Sequence, residues 1–289
     1  MPTLRDVKKR IRSVISTRQI TKAMEMVAAT KLRKAQAKIM QVRPYSHKLE
    51  EILHSLSAAS GELTHPFFEK RDIRKQTLVL ITSDRGLCGS FNTNILRRAT
   101  EWLEGKEKEK DKVELVLIGK RGNDFFKRRN WGIAGKFSDW FGNLNYEKAR
   151  EVAEFLTARF LSGQTDEIII IYTRFLSTVR YKVIDERYLP VERPAIDERT
   201  GGRIEYIFEP SPEGIFADLM PRYALTKIVT VLADSFASEH GTRMIAMGAA
   251  TNNAAEVIDS LTLQYNKARQ AAITKELLEI VSGAEALKG

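Results

Sequence analysis

The stretch of sequence that decides the fold is residues 3–43, which read TLRDVKKRIRSVISTRQITKAMEMVAATKLRKAQAKIMQVR. It contains neither glycine nor proline, so nothing in the local chemistry interrupts a helix before Pro44. Apolar residues recur at alternating steps of three and four, which is the spacing of a coiled coil. The two rows, which are polar around Arg18, Thr21 and Glu25, comprise Val7, Val14, Thr21, Ala28, Ala35, Val42, Leu49 and Leu56, with Leu4, Ile11, Arg18, Glu25, Leu32, Ile39, Ser46 and Leu53. We therefore predict a coiled-coil helix over residues 1–60.

The C-terminal part of the chain repeats this pattern. Between Arg222 and Ser282 there is no proline, and Gly241 and Gly248 are the only glycines. Steps of three and four link an alanine-rich row: Met247, Ala250, Ala254, Val257, Leu261, Gln264, Ala268, Ala271, Lys275 and Leu278. Small residues in such a row allow two helix axes to approach closely. We predict a second helix over residues 210–287 that pairs with the first. The pair is antiparallel because one helix leads into the middle of the chain and the other leads out.

Residues 75–207 have a different character. Short apolar runs bounded by glycine or polar residues predict buried parallel strands at Thr77–Thr82, Val113–Ile118 and Ile168–Tyr172. Helical stretches alternate with them, and two later runs look like edge or antiparallel strands: Asn92–Glu104, Gly122–Arg129 and Tyr146–Leu161, then Val179–Ile184 and Ile204–Phe208. Residues 190–202 are predicted to be a loop. The fold class is therefore α/β, a central Rossmann-like domain with a long antiparallel two-helix coiled coil formed by the two ends of the chain.

The positive charge of the chain is concentrated in one segment. The chain has 47 Lys and Arg against 37 Asp and Glu, a net charge of +10, and residues 1–48 alone have 13 against two. Such a field favours an anionic partner, which could be nucleic acid, an acidic lipid surface or an acidic protein surface. The last turns also present apolar residues on several sides of the helix: Leu277, Leu278, Ile280, Val281, Ala284 and Leu287. An acidic protein ring around the rod accounts for both features.

The composition limits where the chain acts. No apolar run approaches the roughly 18 residues of a spanning helix, and the N-terminus has no apolar signal core. Cys88 is the only cysteine, so it cannot form an internal disulfide. We expect a reducing, cytoplasmic-side location.

No catalytic, cofactor or metal motif stands out. The loop Asp84–Gly89 follows the first predicted strand, where a nucleotide fold places its phosphate loop, but its glycines are spaced G-x-x-G and no G-x-x-x-x-G-K-[ST] occurs. Cys88 lies beside Arg85 with no evident histidine base, which favours a packing or contact residue over a nucleophile. The four histidines form no metal-spaced set and are expected to be surface or cap residues: His47, His54, His65 and His240.

Two other functions, nucleic-acid binding and nucleotide-dependent catalysis, each have some support in the sequence. Lys8 to Arg12 resembles the basic arm of a zipper protein, which would make the chain a basic coiled-coil nucleic-acid-binding protein, but the heptad rows run through the basic part itself. A nucleotide-dependent α/β enzyme would need the phosphate loop that the sequence lacks. An ordinary solvated helix face is the plainest alternative for the charge.

Three segments make the chain resemble the gamma subunit of the bacterial F-type ATP synthase. They are residues 11–35, which include TRQITKAMEMVAATKLRKA from Thr17, the loop DRGLCG at 84–89, and YNKARQ at 265–270 followed by Ile273, Thr274, Glu276, Glu279, Gly283 and Ala284. The resemblance implies that the end helices form a non-catalytic rotor shaft, which couples rotation of the membrane c ring to conformational cycling of the three catalytic beta subunits in a proton-translocating complex. It also implies a peripheral location on the cytoplasmic face of the bacterial inner membrane.

The same resemblance implies partners and contact residues, and neither a cofactor nor a metal. Three alpha and three beta subunits would surround the shaft, with Met24 and Arg243 near acidic lever loops of the beta subunits. Other contacts with this ring would be Arg85, Cys88, Arg269, Gln270 and Thr274. The central domain would lie against the epsilon subunit and the c ring through Glu205, Tyr206 and Glu209.

Overall fold

The computed structural model of the protein describes residues 3–59, 65–192 and 211–286. Helix α1 is Leu4–Ala59 and helix α5 is Pro212–Ala286. At the start of α1 the Asp6 amide donates to the Thr3 hydroxyl at 3.2 Å, and the Thr3 amide donates to the Asp6 carboxylate at 3.1 Å, a reciprocal cap that fixes where the helix begins. The exposed Pro44 lies inside α1 without ending it, because Leu49, Leu53 and Leu56 beyond it are buried.

The chain divides into two compact parts. The paired-helix unit is Met1–Val27 with Met244–Gly289, and the sheet unit is Ala28–Arg243. Each long helix therefore contributes one segment to each unit.

In the paired-helix unit the two helices run antiparallel, as predicted. The Thr21 and Thr251 hydroxyl oxygens are 2.9 Å apart, and the Glu25 carboxylate lies over Gly248. The predicted inward positions of α1 in this unit are buried or half-buried except Arg18, which is exposed.

The predicted inward row of α5 is only partly right. Met247, Ala254 and Leu261 are buried and Ala250 is half-buried, as predicted, but the remaining members of the row are exposed: Val257, Gln264, Ala268, Ala271, Lys275 and Leu278. At four points the residue one position further on lies inward, since Thr251 is buried and Ile258, Tyr265 and Ala272 are half-buried. Neighbouring positions in this helix are similarly small or apolar, as at Val257 and Ile258, so periodicity could not choose between a step of three and a step of four.

The sheet unit contains a five-stranded sheet with the order β3-β2-β1-β4-β5. The strands are β1 Gln76–Ile81, β2 Val113–Ile118, β3 Gly132–Phe137, β4 Glu167–Phe175 and β5 Tyr181–Leu189. The first four are parallel, and β5 pairs antiparallel with β4 at one edge. The helices between them are α2 Phe91–Glu104, α3 Lys120–Phe126 and α4 Tyr146–Leu161. Short 3-10 turns occur at Pro66–Phe68 and Glu107–Lys112.

The sequence missed β3, which forms the opposite edge of the sheet. This strand contains Gly132 and Gly135, and its residues are exposed or half-buried, so it lacks the apolar run that identifies the central strands. The predicted helix at Gly122–Arg129 begins two residues earlier and ends three residues earlier. The predicted strand Ile204–Phe208 lies outside the described residues.

The sheet is covered on both faces. Leu78 and Leu80 of β1 point to the face packed by α2 and α3, whereas Val79 and Ile81 point to the face packed by α4. The second face also takes up the end of α1 at Leu53 and Leu56 and the first turns of α5, from Phe216 to Phe236. Burial of these apolar side chains holds parts of both long helices against the sheet.

Candidate functional site

The loop after β1 carries two of the predicted contact residues, Arg85 and Cys88. It crosses the carboxyl edge of the parallel strands, and its most prominent residue is Leu87, which has φ 59° and is 62% exposed. Asn92 at the start of α2 anchors the loop, because its side-chain oxygen accepts the Ser83 amide at 3.0 Å. The loop therefore presents Leu87 and Arg85 to the outside on a fixed base.

Asp84 ties this loop to two others. Its carboxylate accepts the main-chain amides of Lys120 at 3.1 Å, Asp139 at 3.2 Å and Phe141 at 2.7 Å. These amides follow β2 and β3, at the edge of the sheet where a nucleotide fold presents amides to a phosphate. Here the Asp84 side chain accepts them instead, a role that no pattern in the sequence indicated for this residue.

Cys88 lies beneath the loop. Its side chain is 2% exposed, the Asn92 side-chain amide donates to its sulfur at 3.2 Å, and the Ser83 hydroxyl is 3.7 Å away. Burial raises the pKa of the Cys88 thiol, although its hydrogen bond with Ser83 and the charge of Arg243 act in the opposite direction. The thiol is therefore neutral near pH 7, in accord with the prediction of a packing or contact residue over a nucleophile.

Arg243 joins α5 to the same loop. It forms an ion pair with Glu239 at 2.7 Å, in which the side chains are 11% and 3% exposed. Its guanidinium also donates to the carbonyl oxygens of Arg85 and Gly86, both at 3.3 Å. The structure thus brings Arg243 to the loop that carries Arg85 and Cys88, from a distant part of the sequence. The i, i+4 spacing of Glu239 and Arg243 was the available signal for the ion pair.

His240 is buried, so the expectation of a surface or cap residue is wrong for it. Its Nε2 lies 2.8 Å from the Gly142 carbonyl oxygen, and its Nδ1 lies 3.3 Å from Arg243 Nη1. A carbonyl only accepts and a guanidinium only donates, so the ring is neutral with its proton on Nε2. Burial lowers the pKa of His240 to about 4, and Arg243 and Lys31 act in the same direction. His65 does cap a turn, since its Nδ1 accepts the Phe67 amide at 3.1 Å.

The other predicted contacts with a surrounding ring belong to the paired-helix unit. Met24 is half-buried, whereas Arg269, Gln270 and Thr274 are exposed. The Thr274 hydroxyl donates to the Gln270 carbonyl within the same helix at 2.9 Å. Beyond these residues the apolar side chains of the predicted tip are each more than half exposed: Leu277, Leu278, Ile280 and Val281. Glu205, Tyr206 and Glu209 lie outside the described residues.

The described parts of the chain contain neither a membrane-spanning helix nor a cluster of metal ligands. None of the helices there has the length and apolar character needed to span a membrane. Over the same residues, no group of three or more His, Cys, Asp and Glu side chains is placed to hold a metal ion.

The chain is similar to known proteins over nearly its whole length. A family model described as ATP synthase matches residues 3–287. Relatives called ATP synthase gamma chain include those of Moorella thermoacetica, 49% identical over 288 residues, and Anaeromyxobacter sp., 48% identical over 291 residues. A third, from Chlorobium phaeobacteroides, is 45% identical over 294 residues. In all three alignments the match covers 100% of this chain and 100% of the relative.

Solved structures with the same fold include a chain of the Euglena gracilis mitochondrial ATP synthase, in a structure of its OSCP, F1 and c-ring. The TM-score is 0.69 at 20% identity, over 98% of this chain and 94% of that one. A chain of the Tetrahymena thermophila central stalk and c-ring structure has a TM-score of 0.60 at 23% identity, over 80% of this chain and 99% of that one. Since the family model and the relatives span nearly the whole length, the chain belongs to the ATP synthase gamma chain family.

Proposed function

We propose that this chain is the non-catalytic central shaft of a proton-translocating F-type ATP synthase, in which residues 1–60 and 210–287 form the shaft and residues 75–207 the body. The observation that carries the proposal is the antiparallel pairing of the two chain ends, fixed by Thr21 against Thr251 and Glu25 against Gly248, in a member of the gamma chain family. Paired helices resist bending better than one helix, which a torque-bearing element requires.

The paired helices also differ in charge, which gives the shaft unlike sides. Residues 1–27 carry seven Lys and Arg against two acids, whereas residues 244–289 carry four against five. Such a rod cannot present the same side to three chemically identical beta subunits at once. Each site is then biased toward a different conformation, and rotation exchanges these biases in sequence. The effect of the shaft on ATP is therefore a coupling free energy.

Two groups of residues are proposed to contact the surrounding alpha and beta subunits, three of each. On the sheet unit, the contacts predicted from the sequence are Arg85, Cys88 and Arg243. Arg85 and the exposed Leu87 would meet the ring directly, whereas Cys88, which is buried, and Arg243, whose side chain is 11% exposed, would act by supporting the loop. On the paired-helix unit, the contacts are Met24, Arg269, Gln270 and Thr274. Exposed basic residues suit acidic partner loops, because attraction between opposite charges guides and orients the contact.

The remaining contacts follow from the resemblance. Glu205, Tyr206 and Glu209 are proposed to meet the epsilon subunit and the c ring, which would hold the chain peripherally at the cytoplasmic face of a bacterial inner membrane. The exposed apolar tip from Leu277 to Val281 needs an apolar sleeve, which the upper part of the alpha and beta ring would provide.

The structure argues against nucleic-acid binding by the basic stretch of α1. A basic region that reads DNA leaves its helix free to enter a groove, but Ile11, within Lys8–Arg12, and Val14, just beyond it, are half-buried. The side of α1 that carries Ile11 and Val14 is therefore partly covered, whereas a DNA-reading arm would leave it exposed.

The experiment is to assemble the chain with its alpha and beta subunits, fix the ring to a surface and attach a bead to the sheet unit. We expect ATP to drive stepwise rotation of the bead in one direction. ATP hydrolysis by the assembled complex with a stationary or randomly moving bead would contradict the proposal. Steeply salt-dependent DNA binding by the isolated chain would favour the alternative.

A further inference from the structure

The segment Ser138–Gly142, which follows β3, has an unusual backbone. Asp139, Phe141 and Gly142 have positive φ values of 64°, 50° and 68°. Asp and Gly tolerate this region, but for an aromatic residue it is sterically unfavourable. A conformation of this kind persists only where the surroundings hold it in place, and such sites are often clamps or switches.

Contacts from the sheet hold the segment on one side. The amides of Asp139 and Phe141 are bonded to the Asp84 carboxylate, and the Arg85 guanidinium lies over the Phe141 ring at 5.0 Å from its centroid. On the other side of the segment, Trp140 is buried against Phe236 of α5, with 5.8 Å between ring centroids. With its amides fixed on Asp84, the segment turns successive carbonyl groups toward the long helices.

Those carbonyls bind one side chain from each long helix. Lys31 Nζ of α1 donates to the Phe141 carbonyl at 2.9 Å, and His240 Nε2 of α5 donates to the Gly142 carbonyl at 2.8 Å. The two acceptors belong to consecutive residues. A Cβ atom at Gly142 would lie 2.5 Å from two atoms of the His240 ring, so the approach requires glycine.

We propose that residues 138–142 are a clasp that fastens both long helices to the sheet and transmits torque between them, with Lys31, Gly142 and His240 as its positioning residues. The proposal rests on the proposed shaft function. Because α1 and α5 are bonded to adjacent peptide units, a slide of one helix along the other, or a rotation of the pair against the sheet, would break at least one bond.

The position of the clasp along the chain fits this role. Lys31 is the fourth residue of the sheet unit and His240 is the fourth from its end. Both helices therefore leave the sheet unit within four residues of the clasp, where any torque borne by the sheet has to pass into them.

Lys148 provides a matched control. From α4, which belongs to the sheet unit throughout, its Nζ donates to the carbonyls of Ser138 at 3.3 Å and Asp139 at 3.1 Å. Lys148→Met therefore removes the same kind of bond from the same segment without touching either long helix.

The experiment uses the complete synthase in vesicles and measures proton uptake per ATP hydrolysed. Lys31→Met and Gly142→Ala are each expected to lower this ratio roughly twofold to tenfold, the range that corresponds to the net contribution of one hydrogen bond. Lys148→Met should leave the ratio near wild type, and Lys31→Arg, which still donates to the Phe141 carbonyl, should restore most of it. Hydrogen exchange of β1 and β2 in the full chain checks that each variant keeps its sheet.

Equal ratios for Lys31→Met and wild type, or for Lys31→Met and Lys148→Met, would overturn the clasp while leaving the shaft function intact. A wild-type complex that hydrolyses ATP while a bead attached to its sheet unit does not rotate would instead overturn the shaft function and the clasp with it.

Discussion

The hydroxyl groups of Thr21 and Thr251 meet at 2.9 Å across the two antiparallel helices of the paired-helix unit. Thr251 is buried, and its hydroxyl is also 2.8 Å from the Met247 carbonyl of its own helix. A polar pair within an apolar seam favours one register over those shifted along the helix, because a shift would leave its members without each other. This contact, with Glu25 over Gly248, fixes which residues of the two chain ends face one another.

The first prediction concerns this register. Thr251→Val keeps the branched shape but removes the hydroxyl, and we expect the free energy of unfolding of the full chain to fall by about 1 kcal/mol. Thr21→Val should cost less in the Thr251→Val background than in wild type, because the shared bond is already lost. Urea unfolding followed by circular dichroism measures all four chains. Fully additive effects would contradict a bond between the two residues.

Thr262→Val is the matched control for this experiment. Thr262 is exposed, and its hydroxyl bonds at 2.8 Å to the Ile258 carbonyl of its own helix. We expect no coupling between Thr262→Val and Thr21→Val.

The second prediction tests the corrected seam of α5. Leu261 is 9% exposed and Val257 is 45% exposed, although the sequence pattern placed both on the inward row. Leu261→Ala should lower the free energy of unfolding by about 2 kcal/mol or more through lost packing. Val257→Ala should change it by less than about 0.5 kcal/mol, since an exposed site in a helix accepts alanine well. A larger loss for Val257→Ala would restore the row predicted from sequence.

Two double glycine variants of α5 allow a functional comparison. In the assembled synthase, Ile258→Gly with Leu261→Gly should weaken coupling between ATP hydrolysis and proton movement more than Val257→Gly with Leu261→Gly. Both pairs add two glycines to one helix, so a difference between them reports seam packing and not helix propensity alone.

The third prediction concerns Asp234 on α5. Burial raises the pKa of Asp234 to about 6, although Arg43, 3.4 Å away, acts in the opposite direction. The native state then keeps this proton to higher pH than the unfolded state, so stability falls as pH rises from about 4 to 6. The full loss is on the order of 3 kcal/mol. Asp234→Asn cannot titrate, and the difference between wild type and variant should follow this slope.

Urea unfolding at pH 4, 5, 6 and 7 measures the difference. Asp185→Asn is the surface control, since its carboxylate is paired with Arg98 in an exposed position. A constant difference between wild type and Asp234→Asn over this range would show that the pKa of Asp234 is not raised in the native state.

The fourth prediction concerns His240 and has the opposite sign. With its pKa lowered to about 4, His240 stays neutral in the native state while the unfolded state takes up a proton near pH 6.5. Stability therefore falls as pH decreases from about 6.5 to 4, by on the order of 3 kcal/mol. His240→Gln offers a donor for the Gly142 carbonyl and an acceptor for Arg243, and should remove this slope.

The control for this prediction is His47→Gln, because His47 is an exposed residue of α1. Unfolding of the full chain between pH 4 and pH 7 should show the same slope for His47→Gln as for wild type. Parallel curves for His240→Gln and wild type would contradict a buried neutral imidazole.

The sequence by itself determined the helices, the central strands and their class of fold. Continuous apolar runs identified β1, β2 and β4, and a long stretch without glycine or proline identified α1, because these signals arise from residues close together in the chain. The resemblance in three segments identified the family, which the comparisons confirmed.

Only the tertiary structure decided which faces and loops meet. The inward row of α5 depended on the partner helix, because adjacent positions such as Val257 and Ile258 are equally apolar. The edge strand β3 forms because the backbone of β2 supplies hydrogen-bond partners for it, since its own residues have little preference for a strand. Asp84, Lys31, Gly142 and His240 come together from distant parts of the chain. Their hydrogen bonds form only after the sheet has placed three loops side by side, so no local sequence pattern could have predicted these contacts.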